Sequence, residues 1–146
     1  MLKLKSYDLK NIKDCDLKFA VIATQYKGKW LFVRNKERET WEMPGGHRES
    51  FEDINTTASR ELWEETGAKE YELYPICIYS IDDNGIESLG KLFYANVSRL
   101  SELPDFETCE IKLFDSIPLN PTYPLIQNFL IDKTIEFLKS RKDIKG

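Results

Sequence analysis

Three glutamates, Glu61, Glu64 and Glu65, crowd the end of the segment Gly45–Ala68, with Arg60 just before them and Glu52 further upstream. Carboxylate oxygens are hard donors and suit Mg²⁺ or Mn²⁺. Residues 53–66 read as a helix, with Asp53 as an N-cap and Gly67 where a left-handed residue ends it. With Ile54 at zero on a wheel of about 100° per residue, Ala58 falls at about 40° and Leu62 at about 80°. Glu65 then falls at about 20°, inside this apolar stripe, Glu61 at about 340°, on its margin, and Glu64 at about 280°. A solvated acidic face would lie opposite the stripe. Glu64 fits that reading, but Glu61 and Glu65 do not. Glu61 and Glu65 also repel as like charges one turn apart, and all three occupy the last turn, where the helix dipole favours cations. A divalent cation would remove these conflicts together. The residues alone leave two readings open, a metal site and an unusual structural helix.

Other elements must position this helix. Lys18–Tyr26 is rich in apolar and β-branched residues and predicts a strand. Lys27-Gly28-Lys29 is a turn, and Trp30–Arg34 a second strand, so the pair predicts a hairpin. Pro44-Gly45-Gly46 breaks regular structure and leads into a loop. Tyr71–Ile81 predicts a strand around Pro75, Asp83-Asn84-Gly85 a turn, Lys91–Val97 a strand and Ile111–Phe114 a short one. A proline-rich loop over 118–124 precedes a closing helix, Leu125–Ser140, with Leu125, Ile126, Phe129, Leu130, Ile135 and Leu138 near helical spacing. Strands, helix, strands, helix predict a mixed α/β or α+β domain with helices packed on a sheet. No linker or repeat divides 1–146, so a single domain is expected.

Composition removes several functions. The net charge is −4, which disfavours a broad electrostatic grip on DNA or RNA. No apolar run approaches the roughly 20 residues of a membrane span. The N-terminus lacks the apolar core of a secretory signal. Cys15, Cys77 and Cys109 are odd in number and unpaired in spacing, as expected of reduced thiols in a cytoplasm. His47 is the only histidine, which excludes a His-rich metal site. Gly85–Leu92 nearly spells a phosphate-binding P-loop. Leu92 stands where Ser or Thr should hold Mg²⁺, and strand follows where a helix should.

Gly46, Glu52 and the run Arg60-Glu61-Leu62-Trp63-Glu64-Glu65-Thr66-Gly67-Ala68 resemble the signature box of the Nudix hydrolases. Every fixed position matches; only Ala68 is smaller than the usual closing residue. The resemblance implies a Nudix-type mixed β-sheet sandwiched between helices. It implies hydrolysis of a pyrophosphate bond in a nucleoside diphosphate linked to another group, with Mg²⁺ or Mn²⁺ as cofactor. By position it implies Glu61, Glu64 and Glu65 as metal-binding carboxylates, helped by the Gly46 carbonyl. Glu52 would support the cluster, and Arg60 would orient the glutamates. The catalytic base is expected at Glu64, or outside the box at Glu110, with Glu107 next. Similarity to the MutT-like members implies a phosphate contact at Arg34 and a base pocket near Glu42 and Met43. His47, beside Gly46, is expected to face solvent.

These expectations assemble into a small-molecule nucleotide as partner, with no stable nucleic acid complex and no membrane. The substrate implied is a nucleoside triphosphate, ordinary or oxidised, such as 8-oxo-dGTP. The alternatives are an ADP-ribose or nucleotide-sugar pyrophosphatase, an RNA 5′-end pyrophosphohydrolase, and a non-catalytic nucleotide-binding module. ADP-ribose members carry a proline downstream of the box where this chain has Asp82 and Asp83. Tyr79, Phe93, Tyr94 and Tyr123 are aromatic residues that could stack on a base or fill the core. The loop Asn120–Pro124 could close over a nucleoside or lead rigidly into the last helix.

Overall fold

Side-chain alternation along Phe19–Tyr26 (β2) sets the layering. In the computed structural model, which describes residues 2–10 and 12–141, Ala20 and Ile22 are buried with Ile54, Ala58 and Leu62 on one face. Ala23 is buried with Leu130 and Ile131 on the other, and Val21 packs against them. A strand covered on both faces belongs in the middle of a sheet. β2 pairs in parallel with Ile86–Leu100 (β6) along its whole length. Its other edge is divided. Thr24–Tyr26 pair with Lys29–Asn35 (β3), and Phe19–Val21 pair with Gly45–His47 (β4).

That division makes a fork. β3 parts from β2, and the residues leading into β4 fill the gap. Val33 and Glu42 exchange two backbone hydrogen bonds of 2.9 Å, and the Ile22 N–H donates to the Pro44 carbonyl at 2.8 Å. The predicted loop at 44–46 is therefore half strand. Its glycines concealed this from a propensity reading, because they serve close backbone approach. A Cβ on Gly45 would lie 2.5 Å from the Ala20 carbonyl oxygen.

Leu2–Tyr7 (β1), Ala68–Asp83 (β5) and Thr108–Phe114 (β7) complete a seven-stranded sheet among the described residues, ordered β1-β5-β6-β2-β3-β7. Ile54–Thr66 (α1) covers one face and Pro124–Ser140 (α2) the other. This is the expected mixed sheet between helices. β1 was not expected, although Leu2 and Leu4 alternate with Lys3 and Lys5. β5 and β6 run well past the predicted strands. A bulge between Pro75 and Cys77 places the proline, which has no N–H to donate, where the ladder is already broken. Lys27-Gly28 and Asn84-Gly85 close both hairpins with paired positive φ, at +54° and +75° and at +54° and +90°.

Local chemistry fixes both helix starts. The Asp53 carboxylate accepts from the Thr56 N–H at 2.8 Å, and Gly67 ends α1 at φ +77°. Pro124 opens α2 at a position that needs no N–H. The buried stripe of α2 is Gln127, Leu130, Ile131 and Thr134. Leu125, expected in that stripe, is exposed in the first turn. Tyr79, Phe93 and Tyr94 are buried, so these aromatics are core. Cys15 and Cys77 are free thiols; the Cys109 side chain lies outside the described residues. No helix among the described residues is long and apolar enough to cross a membrane.

One residue departs from these rules. Phe51, in the turn before α1, has φ +64° and a fully exposed ring. A left-handed non-glycine residue costs roughly 1–3 kcal/mol, and glycine there loses some of this gain through chain entropy. Phe51→Gly is expected to stabilise the fold by about 0.5–1 kcal/mol in denaturant unfolding. A lower midpoint would mean that the ring contributes packing.

Candidate active site

The Arg60 guanidinium organises the acidic end of α1. Its Nε and Nη2 donate to the two Glu52 carboxylate oxygens at 2.7 and 3.0 Å, a forked pair. Nη2 also donates to the His47 carbonyl at 3.0 Å. Nη1 donates to Glu61 at 2.9 Å, lies 3.4 Å from Glu64 and 3.6 Å from Glu49. One arginine thus ties the loop, the β4 end and the helix together. Glu52 is fixed further by the Thr57 hydroxyl at 2.7 Å and the Glu49 N–H at 3.1 Å. The Arg60 bonds hold its carboxyl down at about 2, and Glu52 in turn raises the pKa of Arg60.

Glu61 and Glu65 stand in the opposite situation. Burial pushes Glu61 up to about 7, against the pull of Arg60 and with the push of Glu64. Burial pushes Glu65 up to about 8; its Gly45 hydrogen bond opposes this, and Glu61, Glu42 and Glu107 add to it. Glu65 accepts from the Gly45 N–H at 2.7 Å and makes no ion pair among the described residues. A Cβ on Gly46 would run into the Glu61 carboxyl, so the backbone of the fork lies directly against that carboxylate. Hard oxygen donors with too little positive charge fit a divalent cation such as Mg²⁺ or Mn²⁺. Among the described residues no three such side chains yet close into a metal shell. Glu65 is turned onto the Gly45 N–H, and Glu61 and Glu64 onto Arg60.

A model of the NUDIX domain family matches residues 16–111. The chain belongs to the Nudix family. It is 31% identical over 100 residues to the Bacillus subtilis (strain 168) protein named "Putative 8-oxo-dGTP diphosphatase YtkD". That match covers 68% of this chain and 63% of the relative. The fold resembles the crystal structure of the Bacillus subtilis pyrophosphohydrolase BsRppH, with TM-score 0.81 and 23% identity, over 97% of this chain and 92% of that one. It also resembles the NUDIX domain of Shewanella oneidensis NrtR in complex with ADP ribose, with TM-score 0.63 and 19% identity, over 90% and 94% of the two chains.

In this Nudix chain the remaining expected residues scatter. Glu42 sits at the fork, and burial raises its pKa while Arg38 opposes and Glu107 adds to the rise. Glu107 therefore bears on both Glu42 and Glu65. Glu110 is placed differently. It pairs with Arg34 at 3.0 Å, directly across the β3–β7 ladder. Phe32 and Lys112 pair two residues along, and Phe32 belongs to the α2-side core. By strand alternation Arg34 and Glu110 share that face, opposite α1. Arg34 also donates to the Arg38 carbonyl at 3.0 Å. Met43, expected at a substrate pocket, is buried in the α2-side core, and its N–H donates to Gln127 Oε1 at 3.0 Å. His47 is exposed, its ring edge-on to Phe19 at 5.6 Å.

Three supporting residues escaped the sequence reading. Arg48 donates to the carbonyls of Leu17, Glu52 and Cys15 at 2.8, 3.1 and 3.0 Å, pinning the loop. Thr57 orients Glu52, and Gln127 holds the strand leading to Gly45. Only Gln127 left a signal, as a polar residue within an apolar helical stripe. The loop Asn120–Pro124 is tied down: Thr122 N–H donates to the Trp41 carbonyl at 2.7 Å, and Arg38 reaches the Tyr123 hydroxyl at 2.9 Å.

The charge arrangement predicts how stability varies with pH. Glu61 and Glu65 ionise near 7 and 8 in the fold but near 4.5 when unfolded. The native state then holds more protons between these values, so stability falls as pH rises from about 4.5 to 8. Glu52 has the opposite sign: its contribution is present above 4.5 and is lost as pH falls towards 2. In chelator, the melting temperature is expected to peak near pH 5 and decline towards pH 8, by on the order of 2 kcal/mol of stability. A flat or rising profile over pH 5–8 would contradict the burial of these carboxyls.

Proposed function

We propose that this chain, as one Nudix domain over residues 1–146, hydrolyses a pyrophosphate bond in a nucleoside diphosphate-X substrate with Mg²⁺ or Mn²⁺. The proposed substrate is a nucleoside triphosphate, ordinary or oxidised, such as 8-oxo-dGTP, and the proposed compartment is the cytoplasm. The observation that carries the reading is the acidic end of α1. Glu61 and Glu65 are pushed up by burial, and Glu61 and Glu64 share one Arg60 nitrogen. The name of the Bacillus subtilis relative supports the substrate class.

Glu61, Glu64, Glu65 and the Gly46 carbonyl would hold the metal. When bound, the metal neutralises the phosphates and makes a water more acidic. The protein's own residues do the rest. Glu52 and Arg60 join the helix to the fork, which would keep the three carboxylates at one end of α1 within reach of a metal. Glu64 is the proposed base: its Arg60 contact, at 3.4 Å, is longer than the 2.7 Å bond to Glu52, and it stands at the open side of the cluster. It takes the proton of the attacking water as the water's oxygen bonds to phosphorus and the phosphoanhydride bond breaks. Glu107, whose charge bears on Glu65, is the proposed carboxylate from outside the box; Glu110 is engaged by Arg34.

Product analysis tests this. With Mg²⁺, the chain is offered 8-oxo-dGTP, ordinary triphosphates, ADP-ribose, dinucleoside polyphosphates and 5′-triphosphate RNA. Triphosphates are expected to yield a nucleoside monophosphate and pyrophosphate. Removal of a base typically lowers rates by roughly 10²–10⁴-fold, and Glu64→Gln is expected in that range. Turnover unchanged in Glu64→Gln would remove Glu64 from this role. No turnover of any class with either metal would favour a non-catalytic binding module.

A further inference from the structure

Segment 101–107, which joins β6 to β7, carries Glu102, Asp105 and Glu107 and no basic residue. It starts against the end of α1, where Glu61, Glu64 and Glu65 stand: the Ser101 N–H and hydroxyl donate to the Gly67 carbonyl at 2.8 and 3.0 Å. Carboxylates gathered in this way repel, and an unrestrained segment would carry Glu107 out into water. The far end of the segment is held just past β3, where the Lys36 N–H donates to the Glu107 carbonyl at 2.9 Å. The Lys36 ammonium pairs with Asp105 at 2.9 Å, and the Glu107 carboxylate makes no ion pair among the described residues. Between the two ends, the Phe106 ring meets the Trp63 ring of α1 edge-on, with centroids 5.9 Å apart and planes at 71°. Both side chains are exposed.

We infer that this contact is a latch, with Trp63 and Phe106 as positioning residues that hold Glu107 beside the carboxylates of α1. Trp63 immediately precedes Glu64 and Glu65, so a segment fixed to its ring is fixed to their turn of the helix. On the wheel Trp63 falls at about 180°, opposite the stripe of Ile54, Ala58 and Leu62, so packing of the core does not require it. Phe106 likewise belongs to neither core cluster. A lysine or arginine in this place would neutralise the carboxylate it held; an aromatic contact leaves Glu107 charged. Strand pairing does not aim Glu107 by itself. The β3–β7 register shifts between Arg34 and Asn35, so the Arg34–Glu110 pair does not dictate how the chain runs before Thr108. The charge of Glu107 adds to the rise of both Glu65 and Glu42, as a group held near them would. The inference deepens the proposal that Glu107 serves the cluster from outside the box, and rests on it for the effect on turnover.

Trp63→Ala and Phe106→Ala remove the latch from either side, and Trp63→Phe keeps an aromatic ring there. Amide hydrogen exchange of Lys36, whose N–H is held by the Glu107 carbonyl, is expected to speed up severalfold in both alanine variants, while buried β2 amides are unchanged. Each alanine variant is expected to lower kcat for triphosphates about two- to tenfold at nearly constant KM, the size of a lost aromatic pair, and Trp63→Phe to restore most of it. Glu107→Gln alone is expected to lower kcat at least as far, and adding Trp63→Ala or Phe106→Ala to it to cost nothing more, because no carboxylate is left to place. An equal loss in both backgrounds would make the aromatic pair structural only and overturn the inference. So would unchanged Lys36 exchange in both alanine variants, or a kcat indifferent to Glu107→Gln while the unmodified chain turns over and the hydrolase reading stands. Absence of turnover in the unmodified chain would instead remove the hydrolase reading, and the exchange result would still judge the latch.

Discussion

The forked pair between Arg60 and Glu52 is the interaction on which the site depends. It joins the turn before α1 to the body of the helix, and the same guanidinium reaches the His47 carbonyl at the end of β4. Other bonds also join these pieces, Thr57 to Glu52 and the Gly45 N–H to Glu65, but Arg60 is the side chain that reaches all three. It also uses up most of the positive charge available. Glu52 takes two of the Arg60 bonds, Glu61 and Glu64 divide the remaining nitrogen, and Glu65 receives only a backbone N–H. The rise of Glu61 and Glu65 against the fall of Glu52 follows from that division. One carboxylate is fully paired, and the others are buried short of cations.

The fork in the sheet supplies the second half of the site. Because β3 leaves β2 after a short pairing, residues 42–46 can enter the sheet and bring two glycines against α1. Gly45 offers its N–H to Glu65, and Gly46 leaves room for the Glu61 carboxyl. A side chain at either glycine would force the carboxylate or the strand away. Rigid elements therefore carry the chemistry, while the segments on either side, Arg38–Trp41 and Asn120–Tyr123, are fastened to each other. Substrate choice can vary in such segments without disturbing the carboxylates.

Much of this was legible in the residues. The helical wheel put Glu65 inside the apolar stripe and Glu61 on its margin, and burial is what raises both in the structure. Asp53 and Gly67 marked the ends of α1 correctly, because capping is local chemistry. What failed was long-range. Nothing local showed that Gly45–His47 would join β2, since glycine has no strand propensity and the partner lies far away in sequence. Leu125 fits an apolar count but falls in the exposed first turn of α2. Glu110 and Glu107 are close in sequence, yet pairing with Arg34 holds one on the α2 face, while the other's charge reaches Glu65. Met43 precedes the box and is buried in the α2-side core, with its N–H on Gln127. The box itself was legible because Arg60, Glu61, Glu64 and Glu65 lie at helical spacing within α1 and every fixed position is present.

Burial without enough positive charge is proposed to suit the acidic end of α1 to a metal at the expense of metal-free stability. Thermal melting of native protein and Glu65→Gln at pH 8, with chelator and with Mg²⁺, tests it most directly. Glutamine keeps the acceptor for the Gly45 N–H and removes the charge. The variant is expected to melt higher than native protein in chelator, and Mg²⁺ is expected to raise the melting temperature of the native protein but not of the variant. A variant that melts lower in chelator, or that keeps the full Mg²⁺ response, would contradict it.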